Sequence, residues 1–176
     1  MNWIKTGGNT PLVPQMSGNT SPAGYSTSSS LGAHNTSNNA EWKAFDKNES
    51  TYYSSPSSAG ANKHLTNPWL QINLPERKTV NKVIIVYPKR LYPASSWWVS
   101  TTGYIEASND GILWTVIGQQ ALTITDQTVD TTFTINCSPT EQYSMYRIKT
   151  GTENAGYTND GNTWYYLSLY EVQLYE

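Results

Sequence analysis

The stretch Ile105-Glu-Ala-Ser-Asn-Asp-Gly-Ile-Leu-Trp-Thr-Val116 decides the fold. Apolar and polar residues alternate on both sides of its Asn109-Asp110-Gly111 segment, and a period of two is typical of strands that bury one face. Asp-Gly between two such runs indicates a hairpin, because both residues accept positive φ angles. We therefore predict two paired antiparallel strands. The residues predicted to face inward are Ile105 and Ala107 in the first strand, and Ile112, Trp114 and Val116 in the second.

The same alternation recurs along the chain in short runs that are separated by turn residues. Only residues 40–45 have a helical pattern, and they are too few for more than one turn. No internal repeat is present, which disfavours propellers and solenoids. The pattern predicts an all-β sandwich of antiparallel sheets. Its other inward sets are Leu70, Ile72 and Leu74; Val83, Ile85 and Tyr87; Val129, Thr131, Phe133 and Ile135; Tyr146 and Ile148; and Tyr170, Val172 and Leu174.

Composition limits the classes of partner. The 176 residues suit one all-β domain, and a formal net charge of -2 leaves no surplus of cations for phosphates or an anionic membrane. We therefore expect no nucleic-acid partner, and membrane binding is disfavoured. Cys137 is the single cysteine, so no internal disulfide is possible, and we interpret it as an inert core or strand-end thiol.

Residues 1–15 are interpreted as a lead-in segment and residues 16–176 as the domain. The lead-in is rich in Gly, Asn, Thr and Pro and is expected to meet the domain near Val13 to Met16, while Trp3 and Ile4 would dock elsewhere, such as on a neighbouring module. The first residues lack the apolar run of a signal peptide, and no stretch approaches the length of a membrane span. The chain is read as soluble and as a candidate fragment of a longer protein.

Several ordered motifs carry a family resemblance. The segments Ala40–Thr51, Trp69–Leu74 and Ala107–Trp114 resemble the discoidin or coagulation-factor C-domain family, and the final strands 146–148 and 169–175 match it as well. The resemblance implies the jelly-roll β-sandwich of galactose-binding-like carbohydrate-binding modules. The segment 14–22 is further similar to copies of this module in phage tail fibres and bacterial surface proteins, which implies an extracellular or virion-surface location.

The resemblance also implies a structural calcium ion held by the loop 44–51. Calcium takes six to eight hard oxygen ligands, which carboxylates, hydroxyls and carbonyls supply. Such an ion would tie the last strand to the first loop. The alternative is a metal-free Asx turn at Asp46 with Glu171 as an exposed strand residue. The implied ligands are side-chain oxygens of Asp46, Thr51 and Glu171, and backbone carbonyls of Lys43, Asn48 and Ser168.

Sugar binding requires an exposed aromatic plate beside a few fixed polar groups. We assign Trp42, Trp69 and Trp114 to the core because each lies inside a patterned motif, which leaves Trp97, Trp98 and Trp164 for ligand contact. The first two lie in the long loop 88–99, and Trp164 lies in the region 151–165, which we also expect to be a long loop.

Carbohydrate-binding relatives combine His, Arg and Asn with an aromatic plate, and the nearest equivalents here are His34, Arg90 and Asn159. The loops that carry them are expected to gather at one end of the sandwich, joined by residues 54–67 with His64. Tyr92 and Tyr157 complete the predicted ligand site. The alternatives are a solvated charge for Arg90, a plain loop residue for His34, and a hydrophobic cluster under a loop for the tryptophan pair.

No catalytic constellation is evident. Glycoside hydrolysis needs two facing carboxylates, whereas the acidic residues here occur singly, and no nucleophile elbow, zinc-protease helix or phosphate-binding loop is present. We predict a non-catalytic lectin-like module for galactose-type or other cell-surface glycans, which serves adhesion or receptor recognition and gains avidity in a homo-oligomeric parent such as a tail fibre. The alternatives are a protein-docking module and a phospholipid-binding domain.

Overall fold

The computed structural model describes residues 10–56, 65–87, 99–124, 129–151, 155–159 and 162–176. Within these residues the chain forms twelve β-strands and one short 3-10 helix, Glu41–Phe45, which agrees with the single predicted helical turn. The strands are β1 (Ser26–Ser29), β2 (Tyr53–Ser54), β3 (Trp69–Lys78), β4 (Lys82–Tyr87), β5 (Val99–Ser108), β6 (Thr115–Ile124), β7 (Thr131–Asn136), β8 (Tyr143–Thr150), β9 (Ala155–Asn159), β10 (Asn162–Tyr166), β11 (Ser168–Leu169) and β12 (Glu171–Tyr175).

Two antiparallel sheets form the sandwich. One has the strand order β1-β3-β8-β5-β6 and the other has the order β12-β4-β7. Successive strands from β3 to β5 and from β6 to β8 change sheet, as in a jelly roll. Two further antiparallel ribbons, β10-β9 and β11-β2, have two strands each. The prediction of an all-β antiparallel sandwich is confirmed.

One hydrophobic core lies between the sheets. Ile72, Ile105 and Ile148 of the larger sheet pack into the same cluster as Ile85 and Val172 of the smaller sheet, and all five are at most 1% exposed. In the strands of both sheets, every second residue reaches this core, because successive side chains along a strand point to opposite faces. The period-two pattern therefore located most of the core correctly.

The predicted inward set of the second hairpin strand is wrong. β5 pairs with β6 from Ala107 and Thr115 onward, which confirms the hairpin, but Ile112 is 81% and Val116 is 50% exposed. A register shift beside Ile105 leaves Ile117 as an extra residue on β6, and this bulge reverses the alternation. The inward residues of β6 are Ile117, Leu122 and Ile124.

The core assignment of the three tryptophans is also wrong, because Trp42, Trp69 and Trp114 are only half-buried. Trp69 alternates with the buried Leu70, so it lies on the outer face of the larger sheet. There the guanidinium carbon of Arg147 lies 3.8 Å from the ring centroid of Trp69 and 3.7 Å from that of Trp114. Trp42 packs against the edge of the core.

The predicted inward set around β7 is only partly correct. Val129 is 52% exposed and lies before β7, so its predicted inward position is wrong. Thr131 is only half-buried, whereas Phe133 and Ile135 are buried as predicted.

Cys137 is buried directly after β7, and burial raises the pKa of its thiol to about 12, as expected of an inert strand-end thiol. No helix in the described residues is long and apolar enough to cross a membrane.

The described part of the lead-in packs against the domain. The Leu12 N–H donates to the Leu174 carbonyl at 2.8 Å, and the Met16 N–H donates to the Phe45 carbonyl at 3.1 Å. Val13 and Met16 are buried where the lead-in is expected to meet the domain. Trp3 and Ile4 lie outside the described residues.

Candidate functional site

The loop that follows the short helix brings four predicted metal ligands together. The Asp46 carboxylate accepts the Asn48 N–H at 2.9 Å and the Thr51 hydroxyl at 2.6 Å. The Thr51 Oγ1 also lies 2.9 Å from the Asn48 carbonyl oxygen. From the last strand, Glu171 accepts the Lys47 N–H at 3.0 Å. Lys47 has a φ of 58°, a left-handed conformation that favours glycine and turns the loop toward Glu171.

Two buried carboxylates face each other across this loop. Burial raises the pKa of Glu171 to about 9, and repulsion from Asp46 adds to the rise. The pKa of Asp46 is also raised by burial, although the hydrogen bonds from Thr51 and Asn48 oppose the rise. Glu171 is 1% exposed, so the alternative in which it is an ordinary exposed strand residue is wrong, while the Asx turn at Asp46 does form.

The donor chemistry of this loop fits calcium. Two carboxylates, one hydroxyl and one carbonyl oxygen are hard ligands, and a cation between the carboxylates would relieve their repulsion. In the part of the chain that the structure describes, no three His, Cys, Asp or Glu side chains are gathered, so the remaining ligands would be neutral oxygens.

The two other residues predicted to ligate through their carbonyls, Ser168 and Lys43, make further hydrogen bonds. The Ser168 carbonyl accepts the Tyr87 hydroxyl at 3.0 Å, and the Ser168 hydroxyl lies 3.1 Å from that of Ser54. The Lys43 ammonium donates to the carbonyls of Ser37 and Asn38, both at 2.9 Å, and so holds the turn after His34. Metal ligation by Lys43 and Ser168 stays a prediction.

The second candidate site lies at one end of the sandwich, where His34 is exposed. The His34 N–H donates to the Ser54 carbonyl at 2.7 Å. The His34 ring meets the Tyr166 ring edge-on, with centroids 6.3 Å apart and planes at 82°. Tyr166 ends β10, so the first loop contacts the segment that precedes the last strand, as predicted.

The region 151–165 is not the long loop that we expected, because β9 and β10 form a hairpin. Trp164 pairs with Tyr157, and Asn162 pairs with Asn159. Asp160-Gly161 lies between the two strands in the sequence, the same turn dipeptide that identifies the β5–β6 hairpin. That dipeptide was the available signal for this hairpin.

The hairpin register relates the predicted ligand residues to Tyr166. Positions two apart on a strand share a face, and directly paired positions share it as well. The positions of Tyr157, Asn159, Trp164 and Tyr166 therefore belong to one face of the ribbon. Sequence reasoning missed Tyr166, although the alternation with Trp164 would have identified it.

Further hydrogen bonds join the neighbouring segments to the base of this hairpin. The Ser55 N–H donates to the Leu167 carbonyl at 2.9 Å, and the Leu167 N–H donates to the Ser55 hydroxyl at 3.0 Å. Tyr87 ends β4 and bonds to Ser168. Ser55, Tyr87 and Leu167 therefore lie at the same end of the sandwich as His34. The predicted site residues Arg90, Tyr92, Trp97 and Trp98, together with His64, lie outside the described residues.

Sequence comparison assigns the family. The family model of the F5/8 type C domain matches residues 25–159. The chain belongs to the F5/8 type C domain family. The resemblance to discoidin and coagulation-factor C domains is thereby confirmed. No curated protein matches this F5/8 type C domain.

Solved structures show the same fold at low identity. The family 32 carbohydrate-binding module of NanJ from C. perfringens, in complex with galactose, is 17% identical with a TM-score of 0.57, over 93% of this chain and 97% of that one. A chitosan-binding module from Paenibacillus sp. IK-5 is 18% identical with a TM-score of 0.56, over 96% and 100%. A Clostridium perfringens module in complex with GalNAc-β-1,3-galactose is 14% identical with a TM-score of 0.57, over 87% and 96%.

Proposed function

We propose that this F5/8 type C domain is a non-catalytic glycan-binding module whose site lies at the His34 end of the sandwich. The observation that carries the proposal is the exposed His34 ring set edge-on against Tyr166, at the base of a hairpin whose register pairs Tyr157 with Trp164. The proposed binding residues are His34, Arg90, Tyr92, Trp97, Trp98, Tyr157, Asn159, Trp164 and Tyr166.

The chemistry of these residue types suits a sugar. An aromatic ring accepts the apolar C–H face of a pyranose, and His, Arg and Asn supply hydrogen bonds to its hydroxyl rim. Solved domains of the same fold bind galactose, GalNAc-β-1,3-galactose and chitosan, which supports a glycan ligand. We propose galactose-type sugars as the first class to test. A shallow site of this kind gives a Kd of about 1 mM to 1 μM.

Weak single-site binding suits a multivalent parent protein. Linked sites raise the overall avidity by roughly 10²- to 10⁴-fold without new contacts. We propose that the domain serves adhesion or receptor recognition on an extracellular or virion surface, as part of a larger surface or tail protein.

We also propose that the loop around Asp46 holds a structural calcium ion. Asp46, Thr51 and Glu171 would contribute side-chain oxygens, and Lys43, Asn48 and Ser168 would contribute carbonyls. A bound calcium ion supplies charge compensation and a cross-link. The residues themselves connect the first loop to β12, because the Lys47 N–H already bonds to Glu171. The ion would therefore stabilise the fold and not take part in chemistry.

A glycan array with the protein displayed as a multivalent conjugate tests the glycan proposal. We expect a chemically related set of glycans to be retained, and Trp164→Ala or His34→Ala to reduce that signal at least tenfold. Thr132→Ala is a matched control, because Thr132 is exposed on β7 and outside the proposed site. A blank array with a folded protein would contradict the proposal and favour the protein-docking alternative.

A further inference from the structure

One edge of the larger sheet is long and has no pairing strand among the described residues. β6 spans ten residues and is the last strand in the order β1-β3-β8-β5-β6. On its outer side, the one hydrogen bond that links β6 to other described residues runs from the Ser138 N–H to the Ile117 carbonyl. That contact and the bulge at Ile117 protect the first half of the strand. The second half, Gln119 to Ile124, has neither.

The other edges of the two sheets are shorter or covered. The Thr27 N–H of β1 donates to the Asn19 carbonyl, and the Leu174 carbonyl of β12 accepts the Leu12 N–H, both at 2.8 Å. β7 has six residues and follows the charged Asp130. Of the sheet edges in the described part of the chain, the β6 edge therefore offers the longest unprotected row of backbone donors and acceptors.

The composition of β6 is unusual for such an edge. Natural proteins discourage edge pairing with lysine, proline or an inward charge, and Thr115–Ile124 contains none of these. In contrast, the neighbouring strands β5 and β8 carry Glu106, Arg147 and Lys149. In an antiparallel pair about a two-fold axis, the residue on the axis faces its own counterpart, where a charge would meet a like charge. An uncharged edge is compatible with that arrangement.

We propose that β6 pairs with β6 of a second copy of this chain. The strands run antiparallel about a two-fold axis at Ala121, and the two larger sheets join into one continuous sheet. Gln119, Ala121 and Thr123 are exposed and share the outer face of the strand. In this register Ala121 faces its own counterpart, and Gln119 faces Thr123, which gives a small central contact flanked by two polar pairs.

The pairing has a consequence for function that rests on the proposed glycan site. Because the two β6 strands are antiparallel, the His34 ends of the two copies point in opposite directions. The dimer would bridge two glycan-bearing surfaces and would not place two sites on one surface. Avidity for a single glycan-bearing surface would then come from the parent protein and not from this contact.

Sedimentation velocity over a concentration series, from about 1 μM to about 1 mM, tests the pairing. We expect the native chain to shift from monomer to dimer. Ala121→Lys should weaken dimerisation roughly tenfold or more, because it places two ammonium groups opposite each other at the axis. Thr132→Lys on β7 is the matched control and should dimerise like the native chain. A native chain that stays monomeric throughout, or an Ala121→Lys variant that dimerises normally, overturns the proposal.

Cross-linking keeps the test decisive if the lysine variant folds poorly. Under mild oxidation, Ala121→Cys should give a disulfide-linked dimer, while Thr132→Cys should remain largely monomeric. Cys137 is buried with a raised pKa and does not compete. Equal dimer yields from the two cysteine variants would overturn the β6 contact. A blank glycan array beside a positive cross-link would reject the glycan proposal and leave the pairing intact.

Discussion

At the scale of single residues, the carboxylates of Asp46 and Glu171 are an electrostatically unfavourable pair in the folded protein. Both carboxylates are buried, and each lies in an environment that raises its pKa. An unpaired buried charge is costly, so the site stabilises the fold fully only when a proton or a cation compensates it. The loop and the last strand are held together at this point through the Lys47 N–H.

Replacing Glu171 should remove calcium stabilisation. With the proposed calcium ion, free calcium at about 100 times its Kd would stabilise the native fold by about 2.7 kcal/mol, which would raise Tm by several degrees. We expect Glu171→Gln to show the same Tm in calcium and in chelator, because the variant lacks one ligand carboxylate. Thermal unfolding by circular dichroism measures both. Glu141→Gln, at an exposed position, should keep the native calcium response.

Asp110 provides a pH-dependent brace for the β5–β6 connection. Its carboxylate accepts the N–H groups of Ile112 and Leu113 at 2.8 and 2.9 Å, and these bonds lower its pKa below the ordinary value of 3.8. Since the folded pKa is depressed, this stabilisation is present above pH 3.8 and is lost as the pH falls through the folded value.

We therefore expect Asp110→Asn to lower Tm at pH 7, with the difference from the native chain shrinking as the pH falls below about 3.8. Thermal unfolding between pH 2.5 and 7, measured by circular dichroism, checks this. A difference in Tm that stays constant over the whole range would show that the carboxylate charge plays no part.

At the scale of elements, β6 approaches the end of β7 closely at Gly118. A Cβ at this position would lie 2.8 Å from the Asn136 carbonyl oxygen, a backbone atom that cannot move alone. Gly118→Ala should therefore cost roughly 1–3 kcal/mol in the free energy of unfolding. At Gly151 the nearest atom is the Thr101 hydroxyl at 3.5 Å, so Gly151→Ala should cost clearly less. Urea denaturation of both variants gives the comparison.

The Arg147 stack ties together β3, β8 and the β5–β6 connection. Its guanidinium lies between the rings of Trp69 and Trp114, and its Nε–H donates to the Gln71 side-chain carbonyl at 2.9 Å. Arg147→Lys keeps the charge but loses the planar stack, so we expect a loss of about 1–2 kcal/mol and a red shift of tryptophan fluorescence.

Arg77→Lys is the matched control for the Arg147 stack, since Arg77 is exposed on β3. Urea denaturation followed by tryptophan fluorescence measures both the stability and the emission maximum. Equal stability and equal emission for the two variants would contradict a structural role for the stack.

The sequence pattern was sufficient for most of the sandwich strands but not for the β9–β10 hairpin or for contacts between elements. Leu70 and Ile72 were placed correctly because one buried face imposes a period of two, and that same alternation assigns Trp69 to the outer face. Trp114 could not be placed, because the loop before it is folded by hydrogen bonds that the Asp110 carboxylate accepts, and because the bulge at Ile117 reverses the alternation. Side-chain hydrogen bonds and bulges leave no periodic trace.

The sequence likewise predicted some contacts of the candidate sites and missed others. The loop motif and the late Glu171 were close enough to the family pattern for their association to be expected from sequence, and the structure joins Asp46 to Thr51 and Lys47 to Glu171. The contact of His34 with Tyr166 joins residues far apart in the chain, and it depends on a hairpin that was read as a loop. Only a tertiary structure reveals such a pair.

At the scale of the whole molecule, the two ends of the sandwich have different roles in this account. His34, Ser55 and Tyr87 connect the segments at one end, where glycan binding is proposed. β5 runs from this end at Val99 to Ser108, so the connection that carries Asp110 lies toward the other end. The Asp110 brace and the proposed glycan site are therefore spatially separate, and changes at Asp110 should leave glycan binding intact.

The most direct test of the central claim is a two-dimensional ¹H–¹⁵N NMR titration with galactose and then with GalNAc-β-1,3-galactose, up to about 20 times the 1 mM upper limit expected for Kd. The account predicts saturable shifts at the amides of His34 and Tyr166 and along β9 and β10, with Asp110 to Leu113 unchanged. Shifts confined to the Asp110 end, or no shifts with either sugar and none with any glycan retained on the array, would contradict it.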